Sequence, residues 1–288
     1  MKQPEIELSI VVLSYNCKDK LIACLDSVSR YLYPNHEIIL VDNNSSDGTV
    51  ETVKKKSYRN TRVFETGENL GFAGGNNFGV KKARGTYVLF LNPDTVVNQD
   101  SISVALDFLK KHPAVGAVTV RVNLADGSLD YSCHRGFPTP WNAFCYFSGL
   151  SKLFPRVKVF SGYTLSYLDF STEHEVDAIT GAFFMLPKSL GDKLEWFDTD
   201  FFWNGEDLDL SFRIKKSGFK IMYLPHAKII HFKGSSGGHK RGSKTFHARF
   251  DVMRLFFEKH YKNAYPSWFK NLVLLGIRAR KLLAYFDL

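Results

Sequence analysis

The first 120 residues show two kinds of hydrophobic pattern in turn. Residues 8–13, 36–41 and 86–91 are apolar or β-branched runs without alternation, typical of strands buried on both faces. Between the first two runs, residues 18–32 place apolar side chains at helical spacing. This order of strands and helices predicts an α/β fold with a mainly parallel central sheet and right-handed crossovers.

The later segments extend the prediction. We expect helices over residues 49–56 and 101–112, a third helix that ends near Gly85 and a fourth that Gly218 terminates. Strands are expected over 62–64, 115–120, 220–224 and 228–232, and a strand pair is expected within 176–186. Residues 121–175 are rich in aromatic residues and should form a partly irregular region lining a cleft. The predicted organisation is a domain over 1–235, with halves 1–120 and 121–235, and a basic loop and helical extension over 236–288.

Charge and cysteine content narrow the functional classes. The net charge of +9 indicates an anionic partner, which could be a nucleic acid, a phosphorylated substrate or an acidic membrane surface. The four cysteines are scattered without a CxxC pair, so reduced thiols are expected rather than a zinc site or disulfides. No apolar run approaches the roughly 20 residues of a membrane span, so we expect a cytoplasmic protein, either free or at the inner face of the cell membrane.

Acidic residues follow several predicted strands, and the carboxyl ends of strands are where open α/β sheets bind ligands. Asp42 follows the second strand, where its carboxylate could accept hydrogen bonds from a base or sugar; a turn-forming role is the alternative. Asp47, in the same loop, is better explained as a helix cap. Glu206 and Asp207 open a later helix, where the helix dipole alone could favour acids.

The segment Asn92-Pro93-Asp94 ends the strand over 86–91. Pro93 fixes the chain, and Asp94 offers a hard oxygen ligand on a rigid support, as a divalent cation requires. An extended segment would place Asn92 and Asp94 on the same side. The alternative for Asp94 is an Asx turn.

Five segments together resemble a known family. They are "LSIVVLSYN", "IILVDNNSSDGT", "NLGFAGGNN", "VLFLNPDT" and "WNGEDLDLSFRIKKSG". In this order, over residues 6 to 235, they are similar to the inverting nucleotide-sugar glycosyltransferases of the GT-A fold, family 2, and most of all to the rhamnosyltransferase-like enzymes. The resemblance implies a GT-A fold, and the helical pattern of the residues after it adds a C-terminal extension.

The resemblance also implies a donor site. The residues that would contact the nucleotide, the donor sugar or the diphosphate are Ser14, Tyr15, Asn16, Asp42, Asn44, Asn69, Gly71, Phe72, Gly75, Asn76, Asn92 and Asp94. For the glycine-rich part of this set, a simple lead-in to a helix is the alternative.

The same resemblance implies the metal and the catalytic groups. Asp94 would be the metal-proximal carboxylate of a DxD-type motif, with His231 as a second ligand of Mg²⁺ or Mn²⁺; a structural role is the alternative for this histidine. Asn92 replaces the first aspartate of the motif, which removes one negative charge from it. Asp207 would be the general base and Glu206 would orient the acceptor.

The basic C-terminal part admits two interpretations. Four cations after the last predicted strand could form a lid over the diphosphate or a solvated loop: Lys233, Lys240, Arg241 and Lys244. Further on, Trp268, Leu272, Leu275, Leu282 and Phe286 form an apolar stripe, with Lys270, Arg278 and Lys281 elsewhere. Such a helix could make peripheral membrane contact, or pack on the domain or in a homo-oligomer.

The predicted function is inverting transfer of a sugar, such as L-rhamnose from dTDP-rhamnose, to a glycan or polyprenyl-linked saccharide in bacterial cell-surface polysaccharide synthesis. A sugar-phosphate nucleotidyltransferase is the alternative, although "VVLSYNCKDK" lacks the glycine-rich, basic triphosphate loop of that class. A nucleic-acid partner is not expected, because many basic residues lie in the loop after His231 and in the tail rather than in a stripe with interleaved aromatics.

Overall fold

The computed structural model describes residues 6–31, 35–202, 204–233 and 244–285. The predicted lid residues Lys240 and Arg241 and the apolar-stripe residue Phe286 lie outside this part of the chain.

Four parallel strands form the first half of the sheet, as the unbroken apolar runs predict. They are β1 (Leu8–Ser14), β2 (His36–Asp42), β3 (Thr61–Glu65) and β4 (Tyr87–Leu91), in the order β3-β2-β1-β4. Three helices connect them: α1 (Lys18–Arg30), α2 (Thr49–Lys56) and α3 (Gly71–Val80). Residues Ser14 and Asp42 are register partners, so the ends of β1 and β2 meet at the carboxyl edge of the sheet.

The second half makes the sheet mixed. It contains β5 (Thr95–Val97), α4 (Ser101–Lys111), β6 (Val115–Leu124), β7 (His174–Val176), β8 (Phe183–Pro187), α7 (Lys188–Lys193), α8 (Glu206–Lys216) and β9 (Lys220–His231). Strand β8 runs antiparallel to β4 and β6, while β9 runs parallel to β6 and antiparallel to β5 and β7. The described strands follow the order β3-β2-β1-β4-β8-β6-β9-β5, with β7 beside β9.

Two details of the predicted strands are wrong. The segment 176–186 is not a strand pair, because β7 pairs with β9 whereas β8 pairs with β4 and β6. The expected strands 220–224 and 228–232 are one strand, β9, in which the register against β6 shifts between Leu224 and Lys228. Pro225 lies in this irregularity, where the absence of its N–H costs no ladder hydrogen bond.

The region 121–175 is more helical than its composition suggests. It holds a 3-10 turn (Tyr131–Cys133), α5 (Pro140–Phe147) and α6 (Leu150–Leu153). Helix α5 begins with a side-chain cap, since Thr139 accepts a hydrogen bond from the amide of Asn142, and Pro140 occupies the first turn.

Helices α9 (Lys244–His260) and α10 (Ser267–Tyr285) form the C-terminal extension. His260 Nε2 lies 2.7 Å from Asp209 Oδ1, and its ring packs 4.2 Å from that of Phe212, so α9 is fixed directly to α8. Phe256 is buried in the same small apolar cluster as Phe201. Among the described helices, none has the length and apolar character to cross a bilayer.

Candidate active site

The edge formed by β1 and β2 presents a buried carboxylate. Asp42 Oδ2 accepts a hydrogen bond from the Ser45 amide at 2.8 Å, whereas its buried Oδ1 has no partner within the described residues. Ser14 and Asn16 flank it, and Asn16 Oδ1 accepts from the Ser46 amide at 2.8 Å. One oxygen therefore builds the turn while the other has unused acceptor capacity, as a nucleoside ligand would require.

The neighbouring residues of the predicted nucleotide pocket are less enclosed. Tyr15 is exposed, and Asn16 and Asn44 both adopt left-handed backbone conformations that asparagine tolerates. Asp47 acts as a local cap, accepting hydrogen bonds from the amides of Lys18 and Thr49 at 3.0 and 3.1 Å.

The glycine-rich segment has clear internal roles. A side chain at Gly71, whose φ is +71°, would lie 2.8 Å from Phe202, and one at Gly75 would lie 2.9 Å from Leu13 Cδ2. These glycines therefore let α3 pack closely on the sheet and on the segment between α7 and α8.

The asparagines of this segment also bond within the protein. Asn69 accepts from the Gly71 amide at 2.9 Å, and Asn76 donates to the Phe72 carbonyl at 3.0 Å. Asn43 donates to Asn69 at 2.8 Å, which joins the segment to the end of β2. The donor-binding role predicted for Asn69, Gly71, Phe72, Gly75 and Asn76 stays a prediction.

The strand β4 ends in a turn instead of an extended segment. The Thr95 amide donates to the Asn92 carbonyl at 3.2 Å, which closes the turn around Pro93 and turns the chain into β5. The expectation that Asn92 and Asp94 lie on one side of an extended segment is therefore wrong. Asn92 Oδ1 is buried and has no partner among the described residues, so the amide at the first motif position has unused acceptor capacity.

Asp94 meets His231 across the sheet, because Thr95 of β5 is the register partner of His231 on β9. The Asp94 Oδ1 to His231 Nε2 distance is 3.1 Å, and both residues are buried. The pair was predicted from sequence as metal ligands, and the structure brings its members together.

A third residue completes this cluster. Asp130 Oδ2 lies 3.1 Å from His231 Nδ1, and Asp130 Oδ1 accepts from Lys233 Nζ at 2.7 Å. Burial opposes ionisation of Asp130, but hydrogen bonds from His231, Lys233 and Ser132 outweigh it and lower its pKa. Burial likewise opposes the charge on His231, but hydrogen bonds to Asp130 and Asp94 raise the pKa of the imidazole.

The donor set fits a divalent cation held jointly with a ligand. Within the described residues no group of three or more His, Cys, Asp and Glu side chains could hold a metal. Asp94 and His231 supply one carboxylate and one imidazole, so phosphate oxygens would have to complete the coordination. When Nδ1–H donates to Asp130, the Nε2 lone pair of His231 faces Asp94, which is the tautomer that a metal ligand needs.

The catalytic acids predicted from sequence open α8. Asp207 Oδ2 accepts from Arg135 Nη2 at 2.8 Å and from the Gly181 amide at 3.3 Å. Glu206 is fully buried, and burial together with the charge of Asp207 raises its pKa. Its Oε2 has no partner within the described part of the chain. One member of the pair is thus fixed by a guanidinium and a backbone amide, while the pKa of the other is raised by burial.

A single dipeptide joins the two clusters. Gly181 donates to Asp207, and the adjacent Ala182 accepts a hydrogen bond from the Asn92 amide at 3.3 Å. The turn that carries Asp94 and the helix that carries Asp207 are therefore held by consecutive residues. The structure brings together both halves of the site that the sequence predicted separately.

Sequence reasoning missed Asp130 and Arg135. Asp130 begins an Asp-x-Ser turn, but Asp126 and Asp169 begin identical turns, so the local pattern does not single it out. Its contacts with His231 and Lys233, 101 and 103 residues away, distinguish it. Arg135 is similarly identified by its contact with a helix 72 residues further on.

Fold and site together define a glycosyltransferase of the GT-A type. A sequence profile described as Glycosyl transferase family 2 matches residues 9–174, which is more than half of the chain. The protein belongs to glycosyltransferase family 2.

Named relatives agree with this assignment. The chain is 28% identical over 242 residues to the N-acetylglucosaminyl-diphospho-decaprenol L-rhamnosyltransferase of Mycobacterium tuberculosis, covering 80% of this chain and 78% of that protein. The fold is similar to that of S. aureus TarS 1-349 in complex with UDP-GlcNAc, with TM-score 0.60, 19% identity, and 98% and 73% of the two chains covered.

A further structural neighbour is the mannosyltransferase PcManGT from Pyrobaculum calidifontis in complex with GDP-Man and Mn²⁺. Its TM-score is 0.59 at 20% identity, with 98% of this chain and 74% of that chain covered. These comparisons do not favour the nucleotidyltransferase alternative.

Proposed function

We propose that the protein transfers a sugar from a nucleoside-diphosphate donor to a hydroxyl group of a saccharide or polyprenyl-linked acceptor, with inversion at the anomeric carbon. The donor sugar is L-rhamnose, carried by dTDP, and the product enters bacterial cell-surface polysaccharide at the inner face of the cell membrane. The rhamnosyltransferase of Mycobacterium tuberculosis, which acts on a decaprenol-linked acceptor, supports the sugar and the lipid-linked acceptor.

One observation carries the proposal. The Gly181–Ala182 dipeptide places Asp207, a candidate general base, beside the turn of Asp94, a candidate metal and diphosphate ligand. Direct displacement needs these two functions on opposite sides of one anomeric carbon. The acceptor hydroxyl gives its proton to Asp207 as its oxygen bonds to the carbon, and the bond to the diphosphate oxygen breaks with its electrons leaving on the phosphate.

The residues around Asp207 have different roles in this reaction. Arg135 holds the carboxylate in place through its 2.8 Å hydrogen bond, and the Gly181 amide fixes the same oxygen. Glu206, whose pKa is raised by burial and by Asp207, can keep its proton and donate a hydrogen bond to the acceptor. The pair thus provides one base and one donor from adjacent positions.

A divalent cation held by Asp94 and His231 would neutralise charge on the leaving diphosphate. Asp130 fixes the imidazole of His231, and Lys233, which bonds to Asp130, adds positive charge at the same edge. The Mn²⁺ and nucleotide-sugar complex of PcManGT, which has the same fold, supports this use of the site.

A donor panel tests the proposal. The protein is incubated with dTDP-, UDP- and GDP-sugars, with Mg²⁺, Mn²⁺ or a chelator, and a saccharide acceptor, and the anomeric configuration of the product is read by NMR. Asp207→Asn should lower kcat by at least about 10²-fold, as expected for loss of a general base.

Glu51→Gln is the matched control, because Glu51 is also an acid in the first turn of a helix, and it should leave the rate unchanged. Absence of transfer from every donor, or equal rates for Asp207→Asn and wild type, would overturn the proposal. Pyrophosphate release from a nucleoside triphosphate would indicate nucleotidyl transfer instead.

A further inference from the structure

An apolar groove lies between α5 and the extension helices α9 and α10. Its volume is about 560 Å³, within the range of ligand sites. Its walls include Trp141, Phe144 and Phe147 of α5 and Leu272 and Gly276 of α10, and of the described residues that line it, Arg280 alone is charged. So apolar a concavity on a protein surface indicates a binding site.

The groove continues into exposed apolar surface. Trp141 and Phe144 are 49% and 55% exposed, and on α10 Trp268 and Leu272 are 70% and 57% exposed. Of the basic residues of α10, Arg280 lines the groove, and its guanidinium lies 5.3 Å from the ring centre of Phe147. Arg278 and Lys281 instead line a separate depression beside α9, where Lys281 pairs with Asp251 at 2.8 Å. An apolar channel with a guanidinium at its wall is complementary to a chain with an anionic head.

The groove starts near the proposed base. Arg135 bonds to Asp207, and Pro138, only three residues later, lines the groove. Three residues span at most about 11 Å, so an acceptor could occupy both places at once. Phe137 between them packs 5.0 Å from Phe212 of α8, which fixes the segment.

We infer that this groove binds the polyisoprenoid chain of a lipid-linked acceptor, with Arg280 of α10 facing the acceptor's diphosphate. The inference rests on the proposed function and adds the site of the lipid. At about 30 Å³ per water-sized group, the groove accommodates a segment of roughly four isoprene units. A second copy of the chain is less suitable, because two α10 helices without acids would repel each other.

Substitutions that fill the groove test this inference. A Cβ added at Gly276 meets no atom within 4 Å, so Gly276→Phe should fill the groove without backbone strain, while Gly276→Ala should leave it open. The probe is a benzophenone-bearing isoprenyl diphosphate of about four isoprene units. Ala143→Phe, from the opposite wall, is the second blocking variant, and circular dichroism verifies that each variant folds.

Irradiation should label peptides of α5 and α10 in wild type and Gly276→Ala, with about tenfold less label in both blocking variants, as expected when several buried CH₂ groups are displaced. Geranylgeranyl diphosphate should compete and dimethylallyl diphosphate should not. Equal label in the blocked variants, label elsewhere, or equal competition by the short chain would overturn the inference. The inference would also be overturned if the blocking variants lost only vesicle binding, or lost only a dimer seen by sedimentation.

This binding readout is independent of catalysis. If labelling follows the expected pattern but no donor supports transfer, the proposed function fails and the groove stands. If transfer occurs with equal KM for short- and long-chain acceptors and no labelling is seen, the groove assignment fails and the proposed function stands.

Discussion

Asp130→Asn is the sharpest test of the cluster around His231. The substitution keeps the shape of the side chain and the Asx turn, since Oδ1 of asparagine can still accept from the Ser132 amide at 3.0 Å. It removes the negative charge that accepts from His231 Nδ1 and from Lys233. Position 130 is buried, so water cannot replace the lost acceptor freely.

The magnitude follows from those two contacts. A hydrogen bond to a charged group contributes about 1.5–3 kcal/mol, and the Lys233 side chain is 36% exposed, so its share is discounted for solvent screening. We expect metal-free Asp130→Asn to lose about 2–3 kcal/mol of unfolding free energy. Loss of the carboxylate that orients a ligating histidine should weaken Mn²⁺ binding by about 10- to 100-fold.

Two measurements separate these effects. Urea unfolding with a chelator gives the stability, and titration of Mn²⁺ in the presence of dTDP, read by electron paramagnetic resonance, gives the affinity. Asp126→Asn and Asp169→Asn are matched controls, because each residue begins the same Asp-x-Ser turn at the protein surface. Mn²⁺ affinity in Asp130→Asn equal to that of the two controls would refute a supporting role for Asp130.

Three further variants test other parts of the structure. His260→Ala should destabilise the protein by about 2–4 kcal/mol in urea, because Asp209 loses a buried hydrogen bond and the imidazole loses its packing. Gly75→Ala should cost about 1–3 kcal/mol, read by thermal melting, because its Cβ would lie 2.9 Å from Leu13 Cδ2. The pKa of His231 is raised in the folded, metal-free chain, so the stability that this histidine contributes should be fully present below about pH 6.5. That contribution should be lost as the pH rises through the raised pKa, and His231→Gln should flatten this pH dependence.

His260→Ala and Gly75→Ala each have a control of the same residue type at a less crowded position. His112→Ala changes an exposed histidine at the end of α4 and should cost less than His260→Ala. Gly276→Ala adds a Cβ in open space and should be neutral or stabilising. Equal losses within either pair, or a pH slope unchanged in His231→Gln, would contradict the corresponding explanation.

The predictable part of the fold is the part encoded locally. Strands β1, β2 and β4 are unbroken apolar runs because both of their faces are buried, and such runs can be read from sequence. Strand β9 could not be read as one element, because Pro225 marks a break and only the pairing with β6 shows that the strand resumes. Long-range pairing, rather than local propensity, decides such elements.

The residues of the candidate site fall into the same two groups, those that local sequence predicts and those that only long-range contacts identify. Asp42, Asp94 and Asp207 follow strands or begin a helix, so their positions at the sheet edge can be expected from chain order. Asp130 and Arg135 come from the region 121–175, and their partners lie 101 and 72 residues away. Nothing in their local sequence specifies these contacts, which the tertiary fold alone creates.

The bond between His260 and Asp209 has a consequence for incomplete chains. A chain cut before α9 keeps β1 to β9, but it leaves Asp209 with Arg213 as its remaining side-chain partner among the described residues. It also uncovers Phe201 and Leu208, which Phe256 helps to bury. Such a fragment would keep every described strand of the sheet while α8, which carries Asp207, loses contacts that hold it from outside the sheet. The position of Asp207 therefore depends on a helix that lies more than 35 residues further along the chain.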